Sequence, residues 1–350
     1  MVYHILVASY TDAVWTLAFN PSKPADSALS LSSSLIVGHH PSWLERHPSD
    51  PTLVFTGLEQ GDGRLLALKY DIGSGLGRII ANVSSGGKDP CTILSSDKEL
   101  FVGNYSSGTV GVFSLSLSSG TINLKEAQPP LQFSGTGPCA ERQEASHPHQ
   151  IYLVSHQSKS GTAASAEVLV PDLGADTIWR LNKNSDGKWE QKEALVFEKH
   201  RGGGPRHIVI HAEIPLPIPA DLPPLTMTAA ELLLPPPNES FPSPLLYASC
   251  RNDTRAHGDL ISIFSALPSE DKTGNHQNLT LEGSVQTGLT HLRGFAFFGP
   301  DDRYLIAGGV QGGGVKIFER VDGGRGMKEI AHLPARDGGV GLAPTSFLCL

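Results

Sequence analysis

Six times along the chain, an apolar run, a short polar or glycine-rich turn and a second apolar run follow one another. These pairs cover residues 4–19, 53–70, 99–115, 167–181, 245–264 and 303–318. ELFVGNYSSGTVGVFSL (99–115) and DRYLIAGGVQGGGVKIFER (302–320) show the pattern most plainly. Short apolar, β-branched runs bounded by turn residues predict strands, and two of them joined by a tight turn predict a hairpin. Between the pairs lie shorter apolar segments, most of them headed by His-Pro, Gly-Pro or Asp-Pro. They are HPSWLERHP (40–48), DPCTIL (89–94), HPHQIYLV (147–154), GPRHIVIH (204–211) and HLRGFAFF (291–298).

These heads return about every 50 to 60 residues, and a head with its pair supplies most of a four-stranded sheet. That period predicts β-propeller blades. One blade cannot bury both of its faces alone, so blades pack against one another. The expected fold is all-β: a single β-propeller domain over residues 1–350, seven-bladed with one blade truncated. Six strand-pair units are clear. After GPRHIVIH, where another pair belongs, comes IPLPIPADLPPLTM (214–227), which is Pro-rich and lacks strand alternation. Residues 214–244 are expected to be an irregular segment replacing part of a blade. The pair at 4–19 has no head, so strands from the N- and C-terminal ends are expected to share a blade and close the ring.

Composition supports this picture. With 38 Gly and 26 Pro in 350 residues, turns are frequent and long helices few. A net charge of −8 argues against nucleic acid or an anionic membrane as partner. It leaves room for a small anion at a local Arg/His cluster. Cys91, Cys139, Cys250 and Cys349 show no CxxC spacing, which argues against a zinc site or a disulfide framework. The opening MVYHILVASY has no basic flank and reads as a first strand rather than a secretion signal. No stretch approaches the roughly 20 apolar residues of a membrane span. The expected compartment is the cytoplasm.

The motifs HPH (147–149), VPDLGAD (170–176), GPRH (204–207), AAE (229–231), LYASCRND (246–253) and LRGFAFFGPDDRYL (292–305) extend over nearly the whole chain. Together they resemble the seven-bladed β-propeller lactonase family, which includes bacterial-type 6-phosphogluconolactonase and the fungal carboxy-cis,cis-muconate cyclase. The Pro-rich loops and the end PTSFLCL look like a fungal member. The resemblance implies hydrolysis of a small anionic sugar lactone in a central channel, without metal or other cofactor. An alternative within it is cyclisation of a carboxymuconate. It also implies His149, Arg206 and Arg251 as catalytic residues, with His147, His207, Glu231 and Arg293 binding substrate. The family's glutamate in the strand pair after GPRH has no counterpart here. Glu213 and Glu231 both lie off that position, and Glu231 is the better substitute. A further alternative is therefore a catalytically impaired propeller serving as an interaction scaffold.

The residue types suit this chemistry. An Arg fork pairs with carboxylate or phosphate in a bidentate way and stabilises a developing oxyanion. A His near neutral pKa moves protons. Each residue also has a structural alternative. His147 can cap a strand, His207 and His211 alternate with Val209 in a β run, and either Arg can tie two blades together. Asp172 and Asp176 read as turn residues that accept backbone N–H groups. His39 and His40 lie in a loop and are assigned no role.

Overall fold

The protein is described by a computed structural model covering residues 1–118, 121–156, 165–197, 201–210, 228–253, 257–265, 279–335 and 341–350. It divides into two compact units. A middle unit comprises Asp12–Val14 and Leu35–Ile208, and a terminal unit comprises Met1–Thr11, Trp15–Ser34 and Val209–Leu350.

The middle unit holds three four-stranded antiparallel sheets, each a meander in chain order. The first is β4 (Pro41–His47), β5 (Asp50–Leu58), β6 (Arg64–Tyr70) and β7 (Gly77–Ser84). The second is β8 (Pro90–Ser95), β9 (Glu99–Asn104), β10 (Thr109–Ser118) and β11 (Thr121–Gln132). The third is β12 (Tyr152–His156), β13 (Ser165–Asp172), β14 (Thr177–Lys183) and β15 (Trp189–Val196).

The terminal unit is built alike. One sheet is β16 (Thr228–Leu233), β17 (Leu245–Arg251), β18 (Leu260–Ser265) and β19 (Thr280–Gln286). Another is β20 (Thr290–Phe298), β21 (Tyr304–Gly312), β22 (Val315–Val321) and β23 (Gly326–Leu333). In the last, β24 (Pro344–Cys349) pairs with β1 (Tyr3–Ser9), followed by β2 (Ala13–Phe19) and β3 (Leu29–Ile36). The two ends of the chain thus share a sheet, as the headless first pair predicts. Among the described residues the only helical turns are two short 3₁₀ segments, Pro300–Asp302 and Asp322–Gly324. No helix among them is long and apolar enough to cross a membrane.

Burial explains why six pairs stand out in the sequence. The second strands, such as β1, β5 and β9, are nearly continuous in buried residues. They are covered on both faces, which selects unbroken apolar runs. The fourth strands β3, β7 and β15 are wet on one side and largely exposed. Within the middle unit, Phe101, Val110 and Val112 of one sheet pack with Val168, Val170 and Leu181 of the next. Leu53, Phe55 and Leu65 pack likewise against Ile93, Leu100 and Val102.

Two expectations come out differently in detail, and the truncated seventh blade falls partly outside the described residues. The described residues contain six complete sheets, and a seventh is not among them. Residues 214–227 lie outside the described residues, as do His211 and Glu213, while Thr228–Leu233 forms strand β16 within the segment expected to be irregular. His207 is not in a strand: residues 203–210 have no regular secondary structure, and the Ile208 N–H is taken by the Gln150 side chain rather than by a neighbouring strand.

Candidate functional site

In the middle unit two loops carry the candidate residues, and both are held by the aspartates of VPDLGAD. The loop before β12 contains HPH. Asp172 is fully buried and accepts the backbone N–H of His147 (2.6 Å), the backbone N–H of Ala175 (2.8 Å) and the indole N–H of Trp179 (2.7 Å). The Ser146 hydroxyl also donates to it. His149 N–H donates to the Pro171 carbonyl at 2.9 Å. Gly174 allows the close approach of this loop, because a Cβ there would lie 1.7 Å from the Ala145 carbonyl oxygen.

Asp176 holds the second loop. It sits at φ 56°, a left-handed conformation that Asp tolerates. Its carboxylate accepts the N–H groups of Gly202 (2.6 Å) and Gly204 (2.8 Å) and the side-chain amide of Gln143 (3.2 Å). The turn so fixed leads into Pro205 and Arg206. Ile208 N–H then donates to Gln150 Oε1 at 2.6 Å, which ties GPRH to HPHQ. The two aspartates are therefore turn residues, as expected, whose carboxylates reach well beyond their own turn. In Asp176→Ala, hydrogen exchange at Gly202 and Gly204 is expected to rise at least about tenfold while exchange in β13 stays slow, because the local opening energy falls by about one lost charge-assisted hydrogen bond.

These loops bring four of the expected residues together. The Arg206 side chain is 8% exposed, and its Nη1 donates to Nε2 of His207 at 3.1 Å. That contact makes Nε2 the acceptor and assigns the proton of a neutral imidazole to Nδ1. The His207 ring lies 5.4 Å from that of His149 and meets Trp43 edge-on at 6.0 Å. His149 is buried and meets Tyr105 edge-on at 5.9 Å. His147 stacks flat on Tyr105 at 4.2 Å, with Nδ1 3.0 Å from the Tyr105 carbonyl and Nε2 3.1 Å from Glu144. Both nitrogens of His147 are thus engaged by protein, which suits it to bracing the loop.

On the same strand as Trp43 lies Glu45, which sequence reasoning passed over. It follows Trp43 by two residues on β4, and its Oε1 accepts the N–H of Ser95 at 3.1 Å. Burial pushes its carboxyl up to about 7, against the opposing pull of the Ser95 N–H and the Trp43 indole. Tyr105 and Trp43 were also missed. Their one sequence signal is an aromatic in an otherwise aliphatic or polar strand end.

The remaining expected residues belong to the terminal unit. Arg251 ends β17, is buried, and its Nη2 lies 3.4 Å from the Ala229 carbonyl. Glu231 sits at a register break between β16 and β17, and its carboxylate accepts the N–H of Leu232. Arg293 covers the ring of Tyr10 at 4.9 Å. Asp259 plays the part here that Asp172 plays in the other unit. Fully buried, it accepts the N–H groups of Asp253 (2.8 Å) and Leu292 (2.6 Å), joining the turn after Arg251 to the head before Arg293. His39 and His40 stack on each other at 3.6 Å. Among the described residues no three His, Cys, Asp or Glu side chains cluster as a metal site would require.

A buried guanidinium beside two imidazoles can hold an anion and offers ring nitrogens for proton transfer. The comparisons identify the family. The model of a lactonase family, described as a seven-bladed β-propeller, matches residues 4–216. The chain belongs to this β-propeller lactonase family. Among solved structures it is similar to a provisionally assigned 6-phosphogluconolactonase of Bacteroides fragilis, with 22% identity, a TM-score of 0.75 and coverage of 100% of this chain and 98% of that one. A protein from Lactobacillus plantarum matches with 18% identity, a TM-score of 0.71 and full coverage of both chains. The periplasmic gluconolactonase of Pseudomonas aeruginosa matches with 18% identity, a TM-score of 0.65 and coverage of 100% and 99%. At these identities the likeness supports the propeller fold. No curated protein matches the chain.

Proposed function

We propose that this protein is a lactonase that hydrolyses a small anionic sugar lactone, a 6-phosphogluconolactone-like ester, at the Arg206–His207–His149 cluster. The observation that carries the reading is the buried Arg206 guanidinium held against His207 by two loops that Asp172 and Asp176 fix in place, in a chain of the lactonase family. A fixed guanidinium favours the anionic end of the substrate or the oxyanion formed when water adds to the lactone carbonyl. It costs little reorganisation at that moment, because its loop is already set. The imidazole of His149 offers a ring nitrogen that can accept or donate a proton. Ring opening then gives the hydroxy acid, with one water consumed and one acid proton released.

Acid release from 6-phosphogluconolactone, followed in a pH-stat and corrected for spontaneous opening, tests the reading. Wild-type protein is expected to exceed the uncatalysed rate by several orders of magnitude. Arg206→Ala is expected to lower kcat/KM by about 10²-fold, the effect of one lost charge-assisted contact. Folded wild-type protein without turnover would refute the lactonase reading, and Arg206→Ala at full rate would refute the site. Arg251→Ala in the same assay tests whether the terminal unit takes part.

A further inference from the structure

We propose that Gln150 is a positioning residue of this site: its side chain sets the spacing between His149 and the Arg206–His207 pair. The inference rests on the lactonase reading above.

Residues 203–210 have no regular secondary structure, so no sheet ladder fixes the register of Arg206 and His207. Single hydrogen bonds take over that task. Before Arg206, the Asp176 carboxylate accepts the N–H groups of Gly202 and Gly204. After His207, the Ile208 N–H donates to Gln150 Oε1 at 2.6 Å. Arg206 and His207 are strung between these two anchors. The first anchor belongs to the turn between β13 and β14. The second belongs to the residue that follows His149, so it sets His207 directly against His149.

His149 is a firm reference for that spacing. Its N–H is held by the Pro171 carbonyl at 2.9 Å. The preceding Pro148 carbonyl lies 3.5 Å from the buried Cys91 thiol of β8, and Pro148 bridges to Asp172. The HPH loop is thus fastened to β8 and β13, and GPRH follows it through Gln150. The gap so set is 5.4 Å between the His149 and His207 rings, with Arg206 Nη1 3.1 Å from Nε2 of His207. A guanidinium and two imidazoles act on one lactone carbonyl only while they keep such a spacing, and a misplacement of about 1 Å can cost about 10²-fold in rate. A glutamine suits this task. The Ile208 N–H needs an acceptor opposite it, which assigns Oε1 to that position. The amide is neutral, so it leaves the Arg206 guanidinium to an anionic substrate, whereas a carboxylate would compete for it.

Gln150→Met keeps most of the volume and removes the acceptor. With 6-phosphogluconolactone, kcat should fall about 10–10²-fold while KM changes less than about threefold. Amide exchange at Ile208 should rise about tenfold, with β13 unchanged. Gln150→Glu restores an acceptor. Ile208 should then be as protected as in wild type, and kcat should recover most of the loss. KM should rise, because the new carboxylate competes for Arg206. A brace that served stability alone would lower the urea midpoint and leave kcat of the folded protein unchanged. In an active wild type, full kcat in Gln150→Met overturns the proposal and leaves the lactonase reading standing. A loss that Gln150→Glu does not recover does the same. An inactive wild type overturns the lactonase reading and this proposal with it. If Gln150→Met does not fold, Gln150→Asn, whose shorter side chain stops short of Ile208, replaces it with the same expected losses and the same overturning results.

Discussion

Asp172→Ala is expected to destabilise the middle unit by about 3–5 kcal/mol, measured as a fall in the urea midpoint. Asp172 is fully buried and gathers four donors: two backbone N–H groups, an indole N–H and a hydroxyl. Leaving a buried donor without its acceptor costs about 1–3 kcal/mol. The Ser146 hydroxyl can turn to another acceptor, but the backbone groups and the indole cannot. Asp172→Asn should fall between wild type and alanine, near 2 kcal/mol. Its remaining oxygen serves His147 and Ala175, while its amide hydrogens oppose the Trp179 indole. The same substitutions should also speed hydrogen exchange across the HPH loop, and with it loosen His149, whose N–H is anchored one residue before Asp172 at the Pro171 carbonyl.

The sequence makes the strand pairs legible because the second and third strands of each sheet are covered on both faces. Their burial writes an unbroken apolar run into residues such as Leu53–Leu58 and Leu100–Asn104. The fourth strands escape notice, since β7 and β15 alternate weakly and merge with their turns. HPH and GPRH are legible as site loops because His and Arg stand out in apolar surroundings. What decides their arrangement is not local. Asp176 reaches Gly202 and Gly204, and Gln150 reaches Ile208, across segments that no periodicity connects. The alternation in HIVIH suggested a strand at His207 for the same reason: a period-two pattern says nothing of whether a partner strand lies alongside. Glu45 was invisible because a charged residue in a head segment reads as a solvated position. Only the tertiary packing around β4, which sets the Ser95 N–H on its carboxylate and raises its pKa by burial, marks it out.

Arg320→Ala is expected to cost the terminal unit about 3–5 kcal/mol, by a different mechanism. Arg320 on β22 is almost fully buried, yet no carboxylate forms an ion pair with it among the described residues. Aromatic faces take that place. Its guanidinium carbon lies 3.7 Å from the ring centre of Phe241, 5.1 Å from Phe297 and 5.4 Å from Tyr247. Nε donates to the Tyr247 hydroxyl at 3.1 Å, and that hydroxyl donates to the Gly324 carbonyl at 2.6 Å. Nη1 lies 3.3 Å from the Asp302 carbonyl. A desolvated cation over an aromatic face contributes up to about 2 kcal/mol, and truncating a long buried side chain adds a cavity cost of similar size. Two further variants separate these parts. Arg320→Met fills most of the volume without charge, so it should recover the cavity share. Arg320→Lys keeps the charge and most of the stem but loses the flat fork that stacks on Phe241 and reaches Tyr247, so it should fall between alanine and wild type. If lysine instead restored full stability, charge alone would explain the site and the planar stacking would contribute little. Hydrogen exchange places each effect: Asp172→Ala should open residues 145–149 and 171–179, and Arg320→Ala should open 241–247 and 320–325, each leaving the other region as protected as in wild type.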